Sequence, residues 1–316
     1  MTGAALDEAA APRVPDRRPP RQGRLALTLR RESTWLGWWF VAPAVIVTVA
    51  LVVYPLVLGF ETSIHAQAPT LTAPSKLVGA ANYSDVLKDP NTVSATLHTL
   101  TYVGIALALE IGGGLAIAVV LHRAFRGRGI VLAILIMPWA LPSVVSGVLW
   151  QRIFAPDNGL LNSILVNLHI IHQPEVWMAN GWAIPFITLV HVWGVLPLVA
   201  LILLAGLQSI PDEVYSASAV DGANAVRQFW HITLPLLRPA LAVAITVGLV
   251  QAITIFDEIY VLNGTALNTA SVLMQVYNSA FVDADFAHGT ALAFLVALAT
   301  GVFAVISLLA SRRSTV

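Results

Sequence analysis

Six long apolar segments follow one another from about residue 36 onward, and shorter polar stretches separate them. Each segment is long enough to cross the hydrocarbon core of a bilayer, about 30 Å, as a helix. The segments lie at about 36–60, 97–121, 130–154, 182–206, 239–262 and 286–310. This pattern predicts an all-α integral membrane protein with six transmembrane helices.

The composition agrees with that prediction and narrows the chemistry. Of 316 residues, 57% are hydrophobic and 11% are charged, whereas soluble domains carry about 25% charged residues. The chain has no cysteine, which excludes disulfides, thiolate metal ligands and a cysteine nucleophile. Its eight histidines are scattered without ligand-like spacing. We therefore expect neither a metal site nor catalytic residues.

Basic residues lie mostly on one side of the predicted spans. Of the 17 lysines and arginines, 14 precede the first span, follow the sixth, or lie between the second and third or the fourth and fifth. Positive charge marks the cytoplasmic side, so both termini are predicted to be cytoplasmic. Residues 1–34, rich in arginine and proline, are expected to form a disordered cytoplasmic tail. Residues 35–316 should form the six-span domain, with a cytoplasmic loop at 207–238.

This loop contains signals for two short helices. The stretch from Ser209 to Asp212 is typical of a helix start, with Ser209 as the N-cap, and the helix should run to about Val220. Gly222 then suits the left-handed turn at a helix end. Apolar residues spaced i, i+3, i+4 and i+7 from Val226 predict a second, amphipathic helix that Pro235 should end. The pair would either protrude from the membrane or lie on the lipid interface.

The segment 210–239 resembles the cytoplasmic loop of binding-protein-dependent ABC importers, especially sugar permeases related to the maltose system. The family pattern is Glu-Ala-Ala, three residues, Gly, nine residues, then Ile-x-Leu-Pro. The chain keeps this spacing in Ser216-Ala217-Ser218, Gly222 and Ile232-Thr233-Leu234-Pro235, although serine replaces the motif's glutamate and second alanine. Residues 256–262, Phe-Asp-Glu-Ile-Tyr-Val-Leu, resemble the end of the fifth span in the sugar subfamily.

The resemblance implies a maltose-type ABC-importer permease fold and a permease subunit that forms half of the path for a sugar. The loop would dock into a cytoplasmic ATPase. The residues implied in docking are Glu213, Ser216, Ala217, Asp221, Gly222, Ala223, Phe229, Ile232, Leu234 and Pro235.

The resemblance also implies a set of partners at a bacterial inner membrane. They are a second six-span permease of a different sequence, two ATP-binding subunits, and an extracytoplasmic substrate-binding protein, with no nucleic acid. ATP and Mg²⁺ would belong to the ATPase, and this chain would bind no cofactor. The only lysines, Lys76 and Lys88, lack the glycine-rich context of a P-loop. We therefore expect a transport subunit and not an enzyme.

Polar residues within or near the spans are candidates for the substrate path. Glu110, in the middle of the second span, is either a transport or proton-coupling group, or a buried pair or protonated carboxyl at a helix contact. Asp257 and Tyr260, at the outer part of the fifth span, could bind a sugar hydroxyl and stack on a ring, or could mark a solvated helix end. Glu258 is turned about 100° away from Asp257 and is expected to be less sensitive. The remaining candidates are Gln251, Trp139 and Trp193.

Prolines and glycines predict two further features. Pro138 and Pro142 in the third span, and Pro185 and Pro197 in the fourth, should make those helices irregular. The run Gly112-Gly113-Gly114 should form a close-packing surface within the second span.

Other functions remain open from the residues alone. One is a secondary transporter coupled to protons through Glu110 or Asp257, and another is a membrane enzyme, although no nucleophile–base pair is evident. Within the importer class, the substrate could be a polyol or a glycerophosphodiester. Low lysine with high arginine, alanine and valine content favours a GC-rich bacterial genome.

Overall fold

The computed structural model describes residues 38–67, 76–179 and 181–312. The predicted tail, residues 1–34, lies outside the described residues. The chain divides into two compact units after Leu58. In the first unit, residues 38–58 are helical and include a π-helical turn at Val49–Val53. In the second unit this helix ends at Ser63.

The structure is built from helices joined by short connections. In chain order they are α1 (Trp38–Ser63), α2 (Ala81–Lys88), α3 (Pro90–His122), α4 (Arg128–Ala140), α5 (Ser143–Ile153), α6 (Leu160–Asn167), α7 (Ala183–Gln208), α8 (Asp212–Val220), α9 (Ala225–Leu236), α10 (Arg238–Ile253), α11 (Asp257–Asn263), α12 (Val272–Val282) and α13 (Phe286–Arg312).

Among the described residues, four helices are long and apolar enough to cross a membrane unbroken: α1, α3, α7 and α13. Two further candidates are bent pairs of helices. The bend is 98° between α4 and α5, and 69° between α9 and α10. The total reaches the predicted six spans if each bent pair crosses the membrane once.

The prolines of the third and fourth spans act differently. The bend between α4 and α5 confirms that Pro138 and Pro142 make the third span irregular. The same prediction for the fourth span is wrong, because α7 continues without a break through Pro185 and Pro197. Pro185 lies in the first turn, where an amide hydrogen has no partner within the helix. Pro197 lies deeper, where membrane helices tolerate proline if neighbouring groups satisfy the freed backbone.

The fifth span is shorter than predicted. α10 ends at Ile253 and not at about residue 262, and a separate helix, α11, begins at Asp257. Phe256, with φ −145° and ψ −57°, lies outside the helical region. Ser271 donates its hydroxyl to the carbonyl of Ile255 at 2.7 Å, so a backbone acceptor at the break is satisfied by another segment. Apolar residues continue on both sides of the break, which is why the hydrophobic pattern did not reveal it.

α7 is the most enclosed of the long helices. The most apolar part of α7 is 61% buried, compared with 22% for α3. Where α3 packs against it, a Cβ added to Gly114 would meet Val199 Cγ1 at 2.9 Å, and one added to Gly113 would meet Leu196 at 3.2 Å. The predicted close-packing surface is therefore confirmed for these two glycines, whereas a Cβ on Gly112 would meet nothing within 4 Å.

Candidate functional site

The first of the two loop helices, α8, starts later than predicted. Its N-cap is Pro211, so the prediction that Ser209 caps the helix is wrong. Ser209 instead donates its hydroxyl to the carbonyl of Gly206 at 2.7 Å, which closes the end of α7. The first turn of α8 carries Asp212 and Glu213, and negative charge at a helix N-terminus is stabilised by the helix dipole.

The predicted glycine turn is confirmed. Gly222 has φ +81°, in the left-handed region, and the amide of Ala223 donates to the carbonyl of Ser218 at 3.0 Å. This bond satisfies one of the carbonyls that α8 leaves free at its end. Asn224 then caps α9, because its side chain accepts a hydrogen bond from the amide of Arg227 at 2.9 Å.

The second loop helix does not end at Pro235, as the sequence predicted. α9 continues to Leu236, and the chain bends only where α10 begins at Arg238. A π-helical turn, Phe229–Thr233, precedes the proline. Proline lacks the amide hydrogen that a regular helix would use, and the wider turn changes the backbone pairing just before it.

Side chains join α8 to α9. Gln228 donates to Ser218 Oγ at 2.9 Å and to the carbonyl of Tyr215 at 3.3 Å. The hydroxyls of Tyr215 and Thr233 lie 3.1 Å apart. The two helices and their turn are therefore one folded element, called here the loop hairpin (residues 212–236).

The loop hairpin exposes apolar side chains as well as polar ones. Val220, Val226 and Trp230 are 88%, 66% and 60% exposed. Of the ten residues implied in docking, five are exposed and five are half-buried. The exposed residues are Glu213, Ser216, Ala217, Asp221 and Gly222, and the half-buried ones are Ala223, Phe229, Ile232, Leu234 and Pro235.

The second candidate region surrounds α11. Asp257, at its first position, accepts a hydrogen bond from Ser143 at the start of α5. Gln151, further along α5, donates to the carbonyl of Val261 at 2.9 Å. Asp257 was a candidate from the sequence, whereas Ser143, which lies directly after the break at Pro142, was not.

Glu258 faces inward and contacts His191, which was not among the candidates from the sequence. Its side chain is 13% exposed, and Glu258 Oε1 lies 3.2 Å from His191 Nδ1 on α7. The other ring nitrogen of His191 lies 3.6 Å from Oε1 of Glu110 on α3, which is fully buried. The expectation that Glu258 is the less sensitive of the two acidic residues therefore loses its structural basis. A histidine in the middle of a span is itself a sign of function or pairing, and that signal could have identified His191.

Tyr260 belongs to an aromatic strip (Phe256, Tyr260, Tyr277, Phe281 and Phe286). The ring of Tyr260 is stacked on that of Phe256, with the ring centroids 5.8 Å apart, and it packs against Tyr277 with a centroid distance of 5.4 Å. Tyr277 contacts Phe281 at 5.3 Å, and Phe281 contacts Phe286 at 6.0 Å. Tyr260 is 44% exposed. Tyr260 lies three positions after Asp257 on α11, so their side chains are neighbours on the surface of that helix.

The other candidates for the path lie on three different helices. Trp139 is exposed in α4, and Gln251 is exposed in α10. Trp193 is half-buried in α7, where it packs edge-on against Trp150 at 5.7 Å. Their contact with a substrate stays a prediction, as does that of Glu110, Asp257 and Tyr260.

A family model described as "Binding-protein-dependent transport system inner membrane component" matches residues 110–313. The matched segment runs from Glu110 to the end of α13, so it contains the loop hairpin, α11 and the aromatic strip.

Several transport system permease proteins are similar over most of the chain. The trehalose/maltose transport system permease protein MalF of Thermococcus litoralis is 32% identical over 274 residues, which are 86% of this chain and 92% of that protein. The trehalose transport system permease protein SugA of Mycobacterium tuberculosis is 31% identical over 84% of this chain and 85% of its own length. The sulfoquinovosyl glycerol transport system permease protein SmoG of Agrobacterium fabrum is 30% identical over 91% and 93%.

Solved structures share the fold. A bacterial ABC transporter involved in the import of the acidic polysaccharide alginate contains a chain that matches with a TM-score of 0.77 at 21% identity, covering 92% of this chain and 99% of that one. The alginate transporter in complex with its alginate pentasaccharide-bound periplasmic protein matches with a TM-score of 0.76 at 21% identity. At this identity the likeness establishes the fold alone.

Proposed function

Since this chain belongs to the family of binding-protein-dependent transport system inner membrane components, we propose that it is the permease subunit of an ATP-driven sugar importer. It forms half of the translocation path through the bacterial inner membrane. The relatives named above transport trehalose, maltose or sulfoquinovosyl glycerol according to their names, and each of these solutes contains a sugar ring. That agreement supports a sugar as the substrate here.

The observation that carries the proposal is the loop hairpin. It is folded by its own hydrogen bonds, it turns at a left-handed glycine, and it exposes Val220, Val226 and Trp230. Large apolar side chains exposed together with a rigid backbone are typical of a protein-binding surface. We assign this surface to a cytoplasmic ATPase, which holds the ATP and Mg²⁺. The basic residues between the second and third spans, and between the fourth and fifth, support a cytoplasmic location for the hairpin.

Two more partners complete the importer in this proposal. A second six-span permease, encoded as a different chain, supplies the other half of the path. An extracytoplasmic binding protein delivers the sugar, by analogy with the alginate transporter that was solved together with a periplasmic protein.

The sugar meets this chain at α11 in our proposal. Asp257 accepts hydrogen bonds from sugar hydroxyls, since an ionised carboxylate offers several lone pairs in place of its bond from Ser143. Tyr260 offers an exposed aromatic face to the ring. Trp139, Trp193 and Gln251 are further candidates along the path.

The proposal is tested by reconstitution. The chain, a second permease and the ATPase from the neighbouring genes are placed in liposomes, and uptake of labelled trehalose, maltose and glycerol is measured. We expect uptake of a disaccharide that needs ATP on the loop-hairpin side and the binding protein on the other side. Uptake driven by a proton gradient in liposomes that lack the ATPase would overturn the proposal and would favour a secondary transporter.

A further inference from the structure

Three ionisable side chains from three helices meet inside the protein. His191 of α7 lies between Glu110 of α3 and Glu258 of α11, and we call these residues the triad. The distances are 3.6 Å from His191 Nε2 to Glu110 Oε1 and 3.2 Å from His191 Nδ1 to Glu258 Oε1. The two carboxylates use opposite nitrogens of one ring, so they lie on opposite sides of it. They do not converge on a point where a metal ion could bind both.

The triad cannot carry its full negative charge at this depth. Glu110 and His191 are fully or almost fully buried, and Glu258 is nearly so. Among the described residues, no lysine or arginine lies within 4.0 Å of either carboxylate. Two ionised carboxylates beside a neutral imidazole would leave two buried negative charges without a cation, which is strongly unfavourable. Two protons on the triad make it neutral.

The surroundings indicate where the negative charge remains. Glu258 lies in the first turn of α11, where the helix dipole favours an anion, and it faces His191 Nδ1 at hydrogen-bonding distance. The buried hydroxyl of Tyr102 on α3 donates elsewhere, to the carbonyl of Thr269 at 3.0 Å. His191 is therefore the neighbouring group that can carry a compensating proton beside Glu258.

Glu110, unlike Glu258, lies in surroundings that disfavour a negative charge. Neither of its carboxyl oxygens has a hydrogen-bond partner among the described residues. α10 packs directly over it, since a Cβ added to Gly248 would come within 2.5 Å of Glu110 Oε2. His191 Nε2, 3.6 Å away, does not reach hydrogen-bond distance, and a buried carboxyl without a donor is more stable as the neutral acid.

We propose that the triad holds two protons, one on Glu110 and one on His191, and that in this neutral state it positions α11 for the substrate. α11 is seven residues long and is not continuous with a long helix, so its orientation depends on its anchors. Asp257 ties it to α5, and Glu258, the next residue, ties it to α7. The triad residues are positioning residues for Asp257 and Tyr260, and this role rests on the proposed function.

Different substitutions have different expected effects because they change the charge differently. Glu110→Gln resembles the neutral acid in shape and charge, so it should be tolerated. His191→Gln removes the cation and leaves Glu258 buried without a partner. Glu258→Gln removes the anion and leaves the cation. The double variant His191→Gln/Glu258→Gln restores a neutral pair of amides that can bond to each other.

Infrared spectroscopy on the purified complex tests the protonation state without any substrate. At neutral pH we expect a carbonyl stretch of a carboxylic acid that disappears in Glu110→Gln and persists in the double variant His191→Gln/Glu258→Gln, in which the cation and the anion are removed together. A spectrum that Glu110→Gln leaves unchanged would overturn the proposal.

Uptake assays test the positioning role. We expect His191→Gln and Glu258→Gln to raise the KM for sugar by about tenfold or more, equivalent to about 1.4 kcal/mol, with little change in basal ATPase activity. Glu110→Gln should stay close to the wild type, and the double variant should recover most of the loss. If a single variant fails to assemble, the yields of assembled complex are compared in place of the KM values, and the double variant is expected to assemble better than the single variant.

Two results would contradict the positioning role: a double variant no better than the singles, or a Glu110→Gln variant as impaired as His191→Gln. These failures differ from failure of the proposed function. A wild-type complex that imports no sugar would overturn the proposed function whatever the infrared spectrum shows, whereas a Glu110→Gln spectrum with the acid band intact would overturn the triad whatever the complex imports.

Discussion

The loop hairpin and α11 are both short elements attached to long apolar helices, but they are held in different ways. The hairpin is joined within itself, since Gln228 and Ser218 are 10 positions apart. α11 is held from outside, since Ser143 is 114 positions from Asp257. An element that carries its own structure suits a surface that a partner must grip as a unit. An element held by several spans suits a site whose shape must follow those spans when they move.

Removing most of the hairpin should have the largest effect of the variants considered, and it should abolish ATPase binding without disturbing α11. Deletion of residues 214–229 removes the glycine turn with the exposed Val220 and Val226 and leaves the anchors of α11 in place. We expect loss of co-purification with the ATPase, while the chain still inserts and still associates with the second permease. Asp257→Ala is the matched control at the other region, and it should keep the ATPase. A deletion variant that still co-purifies with the ATPase would contradict the docking assignment.

Substitution of Asp257 tests the second region. Asp257→Ala should lose a charge-assisted hydrogen bond of about 1.5–3 kcal/mol, so uptake should weaken about ten- to a hundredfold. Assembly and basal ATPase activity should be unchanged. The measurement is sugar uptake alongside co-purification of the complex.

Ser143→Ala is the control for this prediction. It removes the same hydrogen bond within the chain but leaves the carboxylate of Asp257 available to sugar, and Gln151 still joins α5 to α11, so its effect on uptake should be smaller. Equal losses from the two variants would mean that Asp257 acts only as an anchor for α11.

Because the hairpin is held by bonds within itself and α11 by bonds from other segments, the first could be predicted from the sequence better than the second. The hairpin was predictable because its signals are local: a proline before a helix, acidic residues in the first turn, Gly222 after the helix, and apolar spacing in the next helix. Its errors concern single residues, such as the cap assigned to Ser209. The break before α11 was missed because the groups that support it come from other segments, for example Ser271 on the Ile255 carbonyl.

The triad shows the same limit in a sharper form. Glu110 was recognised as an unusual residue within a span, but a single sequence does not show which histidine faces it. His191 lies 67 positions from Glu258, and no periodic pattern connects residues at that distance. The positions of such residues follow from how α3, α7 and α11 pack, which depends on the whole fold.

Gly222 provides a smaller and more local test of the hairpin. Its φ of +81° costs a β-branched residue about 1–2 kcal/mol, so Gly222→Val should weaken ATPase association about five- to thirtyfold. Gly222→Asn is the matched control, because asparagine adopts the left-handed conformation more easily. Association is measured by titrating the ATPase into the reconstituted permease pair. Equal behaviour of the two variants would show that the turn's conformation does not matter for docking.

The smallest effects are expected at two serines of α8, Ser216 and Ser218, and the two substitutions should differ. Ser216 stands where the family has glutamate, and its exposed hydroxyl donates to the carbonyl of Asp212 at 3.0 Å within the same helix. Such a bond competes with the backbone hydrogen bonds of the helix and adds little to its stability. Ser216→Ala should therefore change the stability of the complex by less than about 0.5 kcal/mol.

Ser218 differs because its hydroxyl receives the bond from Gln228 that joins α8 to α9. Ser218→Ala leaves that amide without its side-chain partner and should destabilise the hairpin by about 0.5–1.5 kcal/mol. Both variants are compared by thermal unfolding of the complex and by ATPase association. If Ser216→Ala lowers association more than Ser218→Ala while leaving the unfolding temperature unchanged, the ATPase must contact Ser216 directly. The docking surface would then include the position of the missing glutamate.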